Sequence, residues 1–262
     1  MTTYATVSDE PQGRIQVLDK IAALLDRLGE HGEASAVQLA EWISEPRSSV
    51  YRLLDGLRAV GWVEPGSRRG TYRLGLPLFR LGSRVTRRFD ERAAARPVME
   101  RLHARTEQTI FLTVKSGFEG VCIERVDGRW VQNMALQLGG SLPLHVGAGP
   151  RVLLAASEDA FVESYLAARP LTRFTPHTIT TPGALWADVE ATRSNGYAIS
   201  DEDDVLGMAA VGAPIHDHEG RVTATLSLSG LKSTVLEGET EQSLELIRTA
   251  AGEVSRTLGH TG

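Results

Sequence analysis

Basic and hydroxyl-bearing side chains are concentrated in one short part of the sequence. Residues 46–88 contain ten arginines and two acidic residues, a net charge of +8, although the whole chain carries −5. Guanidinium groups pair with phosphates and guanine edges, and serine or tyrosine hydroxyls reach phosphates and base edges. Because the electrostatic footprint of a nucleic-acid-binding protein is local, the negative total charge does not exclude this chemistry. The residues that we expect to contact double-stranded DNA are Arg47, Ser48, Ser49, Tyr51, Arg52, Arg68 and Arg69.

A second group of residues is suited to binding a small anion. Residues 147–149 are Gly-Ala-Gly, so an anion can approach their backbone N–H groups, and the apolar run from Val152 predicts a helix beside them. Ser227 and Ser229 are two residues apart in a predicted strand, so their hydroxyls face the same side of the sheet. This combination suits a carboxylate. The alternative is an ordinary turn and two solvated serines.

The remaining reactive side chains do not form a recognisable metal or redox site. The acidic run 201–204 has no matching set of His or Cys, so we interpret it as a solvated loop. His216 and His218 flank Asp217 in a predicted surface turn. Cys122 lies in an apolar strand segment and is expected to be a small buried hydrophobe. We therefore expect no metal and no cofactor.

Two other function classes remain open on the residues alone. Ser229 and Lys232 match the Ser-x-x-Lys pattern of serine acyl-transfer enzymes, but they follow a predicted strand instead of opening a helix, and no Lys-Thr-Gly partner exists. The sequence contains no Gly-x-Ser-x-Gly, Walker or dinucleotide-binding motif. We therefore expect a protein that is not an enzyme. The alternatives are an acyl-transfer enzyme that uses these two residues and an architectural DNA-binding protein with an inert C-terminal domain.

The N-terminal third must position the basic residues, and its periodicity predicts three helices. Apolar residues recur at helical spacing over residues 14–28, a segment that we expect Gly29, followed by Gly32, to end. Ser35 and Gln38 form a capping-box pattern that starts a second helix. After a tight turn, Pro46 suits the first turn of a third helix because its missing N–H needs no partner there.

The third predicted helix and the hairpin after it resemble a DNA-reading unit. Apolar residues between Val50 and Leu57 recur at i, i+3, i+4 and i+7, which leaves the basic and hydroxyl face exposed. Two helices joined by a tight turn are typical of a helix-turn-helix, whose second helix enters the major groove. Strands at 62–63 and 71–74 predict a hairpin with two arginines at its tip. This arrangement is a winged helix-turn-helix.

Beyond the wing, the pattern predicts a linking helix and a sensing domain. We expect strands at 110–114, 121–126 and 221–229, and helices at 77–89, 160–168, 185–194 and 237–258. The predicted fold class is α+β, with a GAF-like C-terminal sheet backed by helices. The expected divisions are a flexible N-terminal tail (1–13), a winged helix-turn-helix domain (14–76), a linking helix (77–92) and an effector-binding domain (93–262).

The chain has the features of a cytoplasmic protein. Its single cysteine cannot form an internal disulfide, and no N-terminal stretch combines a basic start with the apolar run of a secretory signal. No segment approaches the roughly 20 apolar residues that a membrane span needs. We therefore expect no contact with a membrane.

Short motifs run through nearly the whole chain in a fixed order and spacing. In the N-terminal part they are residues 45–54 (EPRSSVYRLL), 61–63 (GWV) and 72–75 (YRLG). In the C-terminal part they are residues 141–145 (SLPLH), 175–180 (TPHTIT), 193–198 (RSNGYA) and 226–230 (LSLSG). These motifs resemble those of the IclR family of transcriptional regulators. On this resemblance the chain is identified as a member of that family.

The resemblance implies a DNA-binding transcriptional regulator whose operator affinity changes when a small-molecule effector binds in the C-terminal domain. We favour a repressor, a near-palindromic operator, a carboxylic acid as effector, and self-association to a homodimer or homotetramer. The effector-binding residues that the resemblance implies are Gly147, Ala148, Ser200, Met208, Ala210, Ser227 and Ser229.

The chain departs from the family pattern at three places. Ser44 and Glu45 stand where the family's turn usually carries Gly and then an apolar residue. Residues 147–151 (GAGPR) replace a Thr-Ala pair followed by Gly-Lys or Gly-Arg. Ala210 stands near the position of a cysteine that often lines the family's pocket. Ligand contacts that depend on that cysteine are therefore not expected.

Overall fold

The computed structural model describes residues 15–85, 90–129, 136–168, 170–237 and 240–261. The chain divides into two compact units, one containing the described residues up to 85 and the other those from 90 onward. The predicted N-terminal tail and residues 86–89 of the predicted linking helix lie outside the described residues.

Helices and a small antiparallel sheet form the N-terminal unit. Its described elements are α1 (Gln16–His31), β1 (Glu33–Ser35), α2 (Ala36–Trp42), α3 (Arg47–Ala59), β2 (Val63–Pro65), β3 (Thr71–Leu74) and α4 (Leu76–Val85). The strand order is β1-β3-β2, so β2 and β3 form the predicted hairpin and β1 adds a third strand. Leu24 and Leu28 of α1 share one core with Leu54 of α3 and Val63 of β2. The predicted winged helix-turn-helix is confirmed.

Some element ends differ from the prediction because packing overrides the local pattern. The predicted helix over residues 14–28 is too short at its C-terminal end, since α1 continues past Gly29 to His31. The fully buried Leu28 packs this turn against the core, and Gly32, the second of the two predicted glycines, has φ of +75° and ends the helix. The prediction for Pro46 is wrong by one position, because Pro46 is the N-cap of α3 and not part of its first turn.

The connection from α2 to α3 is fixed by local hydrogen bonds. The predicted capping box is confirmed, because Ser35 Oγ accepts a hydrogen bond from the Gln38 N–H (3.3 Å) and Gln38 Oε1 accepts one from the Ser35 N–H (3.0 Å). In the turn, Ser44 has φ of +54°. The next residue, Glu45, pairs with Lys20 of α1 at 2.8 Å. The turn is therefore tied back to the first helix of the unit.

A six-stranded antiparallel sheet organises the C-terminal unit. Its described elements are α5 (Asp90–Thr106), β4 (Thr109–Ser116), β5 (Glu119–Val126), β6 (Ser141–Pro143), α6 (Ala148–Ala155), α7 (Asp159–Ala168), α8 (Pro182–Asn195), β7 (Ala198–Asp201), β8 (Met208–His216), β9 (Val222–Leu231), α9 (Lys232–Val235) and α10 (Thr240–Thr257). The strand order is β6-β5-β4-β9-β8-β7. The helices α5 and α10 cover one face, where Met99, Leu112, Val211 and Ile247 share one core. The helix α6 contacts β4, β8 and β9 and packs against α8.

The six helices and strands that the sequence predicts in this unit beyond the linking helix are present, with shifted ends. The prediction lacks α5, β6, β7, β8 and the short α9. The strand β8 (MAAVGAPIH) is rich in Ala and Gly, which favour strands weakly, and it is buried on both faces, so it shows no alternation. The helix α5 contains Pro97, which is unfavourable inside a helix. None of the helices in the described residues is both long and apolar enough to cross a bilayer.

Candidate functional site

One face of α3 carries the side chains that the sequence assigns to DNA. Val50, Leu54 and Leu57 are buried in the core of the N-terminal unit, which leaves the opposite face of α3 to solvent. The predicted residues on this helix are Arg47, Ser48, Tyr51 and Arg52, which are exposed, and Ser49, which is half-buried. Helix positions four residues apart are neighbours on the surface, so these side chains form two adjacent rows. Within the described residues, Arg47 and Arg52 have no ion-pair partner.

The predicted wing arginines lie in the turn between β2 and β3, where Arg68 and Arg69 are exposed. Glu33 of β1 fixes this turn, because its carboxylate accepts hydrogen bonds from the Ser67 N–H (2.7 Å) and the Ser67 hydroxyl (3.0 Å). These hydrogen bonds lower the pKa of Glu33. Arg68 Nε lies 3.6 Å from the same carboxylate. Glu33 is thus a positioning residue that the sequence analysis missed, since β1 is too short to show a pattern.

The second candidate site is a cavity between the sheet and the start of α6 in the C-terminal unit. It holds about 460 Å³ of empty space, counting the part that opens to solvent. The structure brings all seven predicted effector-binding residues together around this space. They are Gly147, Ala148, Ser200, Met208, Ala210, Ser227 and Ser229.

The strand register explains why these residues meet. Ser229 of β9 is paired with Ala210 of β8, which is paired with Ser200 of β7. Ser227 precedes Ser229 by two residues and therefore points to the same face. Thr113 of β4 also borders the cavity, and its hydroxyl is buried without a hydrogen-bond partner. The sequence analysis missed Thr113, because the first six residues of β4 are all buried and their burial shows no alternation that would mark one face.

Small residues allow the N-terminal end of α6 to lie directly on the sheet. Gly147, the N-cap, has φ of +80°. A Cβ at Gly149 would lie 3.4 Å from Ser227 Oγ, and a Cβ at Gly212 of β8 would lie 3.0 Å from the carbonyl carbon of Ala148. Larger side chains at these glycines would push the helix away from the strands. The positive end of the α6 dipole thus faces the cavity.

Behind the cavity, Asp203 is a buried carboxylate and not part of a solvated loop. Asp203 is only 3% exposed. It accepts hydrogen bonds from the Ser200 hydroxyl, the Gly147 N–H (3.2 Å) and Arg151 Nη1 (3.1 Å). The solvated-loop interpretation of residues 201–204 is therefore wrong for Asp203, because the guanidinium of Arg151 compensates its buried charge. The Ser200 hydroxyl, predicted to bind effector, is already engaged by this carboxylate.

The loop that carries Asp203 is held by neighbouring elements. Arg151 also donates a hydrogen bond to Asp188 of α8 (2.8 Å). Burial lowers the pKa of Arg151, while the negative charge of Asp203 opposes that shift. The hydroxyls of Thr175 and Thr178 donate to the backbone carbonyls of Glu202 (2.6 Å) and Asp203 (2.7 Å). The motif at 175–180 thus has a structural use, which is to fix the backbone of the acidic loop.

Among the described residues that border the cavity, Asp204 is the one with an ionisable side chain. Its acidic neighbours Asp201 and Glu202 pair with Lys232 at 2.7 and 2.9 Å. Within the described residues, the Asp204 carboxylate accepts no hydrogen bond and has no cationic partner. Burial and the negative charge of Asp203 raise the pKa of Asp204 to about 6. The sequence analysis grouped this residue with a solvated run and so missed its place at the cavity.

The structure does not assemble Ser229 and Lys232 into a catalytic pair. The Lys232 ammonium is held by Asp201 and Glu202, which raise the pKa of Lys232. A lysine whose protonated form is stabilised in this way is a poor general base. The hydroxyl of Ser229 belongs instead to the wall of the cavity.

Cys122 and the histidines near the β8–β9 turn belong to neither candidate site. Cys122 is fully buried, as predicted, and burial raises the pKa of its thiol to about 12. His216 ends β8 and stacks on His260, while the exposed His218 lies in the turn. Among the described residues no group of three or more His, Cys, Asp and Glu side chains is arranged to hold a metal ion.

Comparisons with known proteins give the same family for both units. Residues 17–66 match the family model described as the IclR helix-turn-helix domain, and residues 83–256 match the one described as bacterial transcriptional regulator IclR C-terminal. The HTH-type transcriptional regulator XynR of Escherichia coli K12 is 32% identical over 247 residues, which cover 94% of this chain and 98% of XynR. The HTH-type transcriptional repressor AllR of the same strain is 31% identical over 246 residues, 93% of this chain and 90% of AllR.

A solved structure shares the whole fold. An IclR homologue from Microbacterium hydrocarbonoxydans, in complex with 4-hydroxybenzoate, is 27% identical and has a TM-score of 0.76 over 91% of this chain and 98% of its own. The curated relatives are transcriptional regulators, so the protein regulates transcription and is not an enzyme of the acyl-transfer class. By the match of both domains and by its similarity to relatives over nearly the full length, this chain belongs to the IclR family of bacterial transcriptional regulators.

Proposed function

We propose that this regulator represses transcription as a dimer on a near-palindromic operator, and that a small organic acid in the cavity changes its affinity for that operator. The observation that carries the proposal is the division of roles between the two units. One exposes basic and hydroxyl side chains without ion-pair partners on α3, and the other encloses a cavity bordered by hydroxyls. Repression is also supported by the similarity of the chain to AllR, a transcriptional repressor.

The DNA contacts divide between α3 and the wing. Arg47 and Arg52 lie in the N-terminal half of α3, the part of a recognition helix that contacts base edges and phosphates in the major groove. Ser48, Ser49 and Tyr51 add hydroxyls to the same contact. The wing arginines at 68 and 69 bind phosphates beside it. Because phosphate contacts release counterions, operator affinity falls as salt rises.

Exposed apolar side chains on the N-terminal unit support dimerisation. Ile15 at the start of α1 is 60% exposed and Leu18 is 58% exposed, while Leu76 and Phe79 of α4 are 66% and 71% exposed. Single exposed leucines are ordinary, but a concentration of large apolar side chains on two helices is typical of a protein interface. A two-fold dimer that covers them places two α3 helices in successive major grooves. Association of the C-terminal units would extend the dimer to a tetramer.

The effector is an organic acid whose carboxylate is held by the start of α6 and by the serines of β9. Backbone N–H groups of residues 147–149 and the hydroxyls of Ser227 and Ser229 are donors that suit an anion. Ala210 and Met208 supply apolar wall on β8. The homologue from Microbacterium hydrocarbonoxydans, which was solved with 4-hydroxybenzoate, supports this class of ligand.

We assign domain roles along the chain accordingly. Residues 14–76 form the DNA-binding domain, 77–92 link the two domains, and 93–262 form the effector-binding domain. The acid acts by binding more tightly to one of two arrangements of the paired DNA-binding domains. The protein works in the cytoplasm, where the bacterial chromosome lies.

Operator binding by arginine variants tests the DNA interface. We expect Arg47→Ala and Arg52→Ala each to weaken binding to the chain's own upstream intergenic DNA by about tenfold or more, the value of one good base or phosphate contact. Arg248→Ala, which removes an exposed arginine from α10 of the other unit, is the matched control and should bind like the wild type. Electrophoretic mobility shift across a salt series measures all three. Unchanged affinity in both α3 variants would refute the assignment.

A further inference from the structure

Two polar side chains at opposite sides of the cavity lack partners, and they need opposite kinds of partner. Thr113 is 0% exposed, and its hydroxyl makes no hydrogen bond within the described residues. Asp204 presents a carboxylate that accepts no hydrogen bond there. Buried polar groups in folded proteins are nearly always satisfied, so the hydroxyl of Thr113 points to what the cavity binds. The half-buried carboxylate of Asp204 borders the same cavity and is open to a donor there.

The fold separates these two groups across the sheet. Thr113 lies on β4, beside β9, and its Oγ1 would be 3.4 Å from a Cβ at Gly149 in the first turn of α6. Asp204 lies in the loop that joins β7 to β8. Between β4, which carries Thr113, and β7 there are three strand spacings, about 14 Å in all. One end of the cavity therefore carries hydroxyl donors and the helix terminus, and the other carries a carboxylate.

The cavity wall contains no cation that could neutralise Asp204. Within the described residues no Lys, Arg or His borders the cavity. Arg151 is already engaged by Asp188 and Asp203, and Lys232 by the other two acids of the loop. An anionic group of a ligand placed at this end would meet the carboxylate directly and be repelled. A hydroxyl there would instead donate a charge-assisted hydrogen bond.

We propose that the effector is an organic acid with a hydroxyl group at the end remote from its carboxylate, with the carboxylate bound beside Thr113 and the hydroxyl donating to Asp204. The inference rests on the proposed function, since it specifies the ligand of the same cavity. It assigns Asp204 as the residue that selects for the hydroxyl. The cavity should also discriminate between two kinds of hydroxy acid, because Thr113 and Asp204 lie on different sides of it. An acid whose hydroxyl is remote from the carboxylate can reach both residues, whereas an acid whose hydroxyl is next to the carboxylate cannot.

Calorimetric titration with matched acids tests the proposal. The first set is benzoate, 2-hydroxybenzoate, 4-hydroxybenzoate and 4-methoxybenzoate, and the second is pentanoate with its 2-hydroxy, 5-hydroxy and 5-methoxy derivatives. In at least one set, we expect the remote hydroxy acid to bind the full-length protein about tenfold or more tightly than the other three members, the range of one hydrogen bond to a charged group. The proposal is overturned if in both sets the parent acid or the methoxy derivative binds as tightly as the remote hydroxy acid, and also if no member of either set binds.

Variants of the loop separate the role of Asp204 from a general effect on folding. Asp204→Leu keeps the number and branching of the side-chain heavy atoms but has no acceptor, so we expect it to lose the tenfold preference while the parent acid binds no more weakly than before. Asp204→Asn, which keeps an acceptor without the charge, serves if the first variant does not fold, and it should reduce the preference. Asp201→Asn removes an exposed carboxylate that faces Lys232 and should keep the full preference. A preference that survives both changes at 204 overturns the assignment.

The outcomes also distinguish this inference from the proposed function. If a parent acid without a hydroxyl binds as tightly as the remote hydroxy acid and alters operator affinity, the regulator senses organic acids and only the hydroxyl inference fails. If no acid of either set alters operator affinity, both the hydroxyl inference and the proposed sensing of organic acids fail.

Discussion

At the scale of single residues, the acidic run 201–204 shows how neighbouring carboxylates acquire different roles. Asp201 and Glu202 pair with Lys232, and Asp203 is compensated by Arg151. Asp204 alone faces the cavity without a donor in the described residues. A charge that burial leaves uncompensated costs stability, and such a cost at a cavity is typical of a ligand site.

The raised pKa of Asp204 predicts a pH-dependent stability difference. With a pKa of about 6 in the folded state against 3.8 in the unfolded state, the native protein binds the proton more tightly, so this group lowers the stability as the pH rises towards 6. Asp204→Asn removes that loss. We expect the variant to be more stable than the wild type by at most about 3 kcal/mol at pH 8. At pH 5 this stability difference should be smaller by about 1–2 kcal/mol.

Urea unfolding of both proteins between pH 5 and pH 8 measures this difference. Above about pH 7 the difference should be constant, because the carboxylate is then ionised in both states. A difference that does not change between pH 5 and pH 8 would show that the pKa of Asp204 is unperturbed.

The unpartnered hydroxyl of Thr113 gives a second prediction. Valine has nearly the same shape, so Thr113→Val removes an unsatisfied buried hydroxyl without leaving a cavity. We expect the free protein to become more stable by about 1 kcal/mol, and any acid that binds the cavity to bind more weakly. Thermal unfolding and calorimetry measure the two effects. A loss of more than about 1 kcal/mol in the free protein would mean that the hydroxyl has a partner.

At the scale of elements, the turn between α2 and α3 sets the orientation of the recognition helix. Ser44 adopts φ of +54°, a region that costs a residue with a Cβ about 1 kcal/mol or more. The ion pair from Glu45 to Lys20 holds the turn against α1. Ser44 stands where the family pattern usually has Gly, so the backbone conformation of the turn is kept although the residue suited to it is absent.

A glycine in this turn should therefore stabilise the N-terminal unit. We expect Ser44→Gly to raise the free energy of unfolding by about 0.5–1 kcal/mol, since the left-handed conformation is then unstrained. Val60→Gly, at an exposed residue with negative φ, is the control and should be destabilising. Chemical denaturation of the full-length protein provides the measurement. A destabilised Ser44→Gly variant would contradict the strain argument.

The elements also show what the sequence could and could not predict. The face of α3 was predictable because Val50, Leu54 and Leu57 repeat at helical spacing, and the alignment of Ser227 with Ser229 follows from strand alternation. Thr113 and Asp204 were not identified, because their meeting depends on the pairing of distant strands. Pairing across β8 was hidden by its Ala- and Gly-rich sequence, which lacks any alternation.

At the scale of the whole molecule, charge separates the two functions along the chain. Residues 1–96 contain 15 basic and 12 acidic residues, a net +3, while residues 97–262 contain 13 basic and 21 acidic residues, a net −8. The negative part is repelled by DNA and the positive part is attracted, so binding is directed to the N-terminal unit. Sensing by the cavity then requires that the two units be energetically coupled.

The most direct test of the account is the effect of a cavity-binding acid on operator affinity, measured for the wild type and for a variant with both Ser227→Ala and Ser229→Ala. The acid should change the wild-type Kd for the operator by about fivefold or more, the usual range of allosteric coupling. The double variant should bind operator as the free wild type does and show no response. An equal response in the double variant, or no response to any acid in the wild type, would contradict sensing through this cavity.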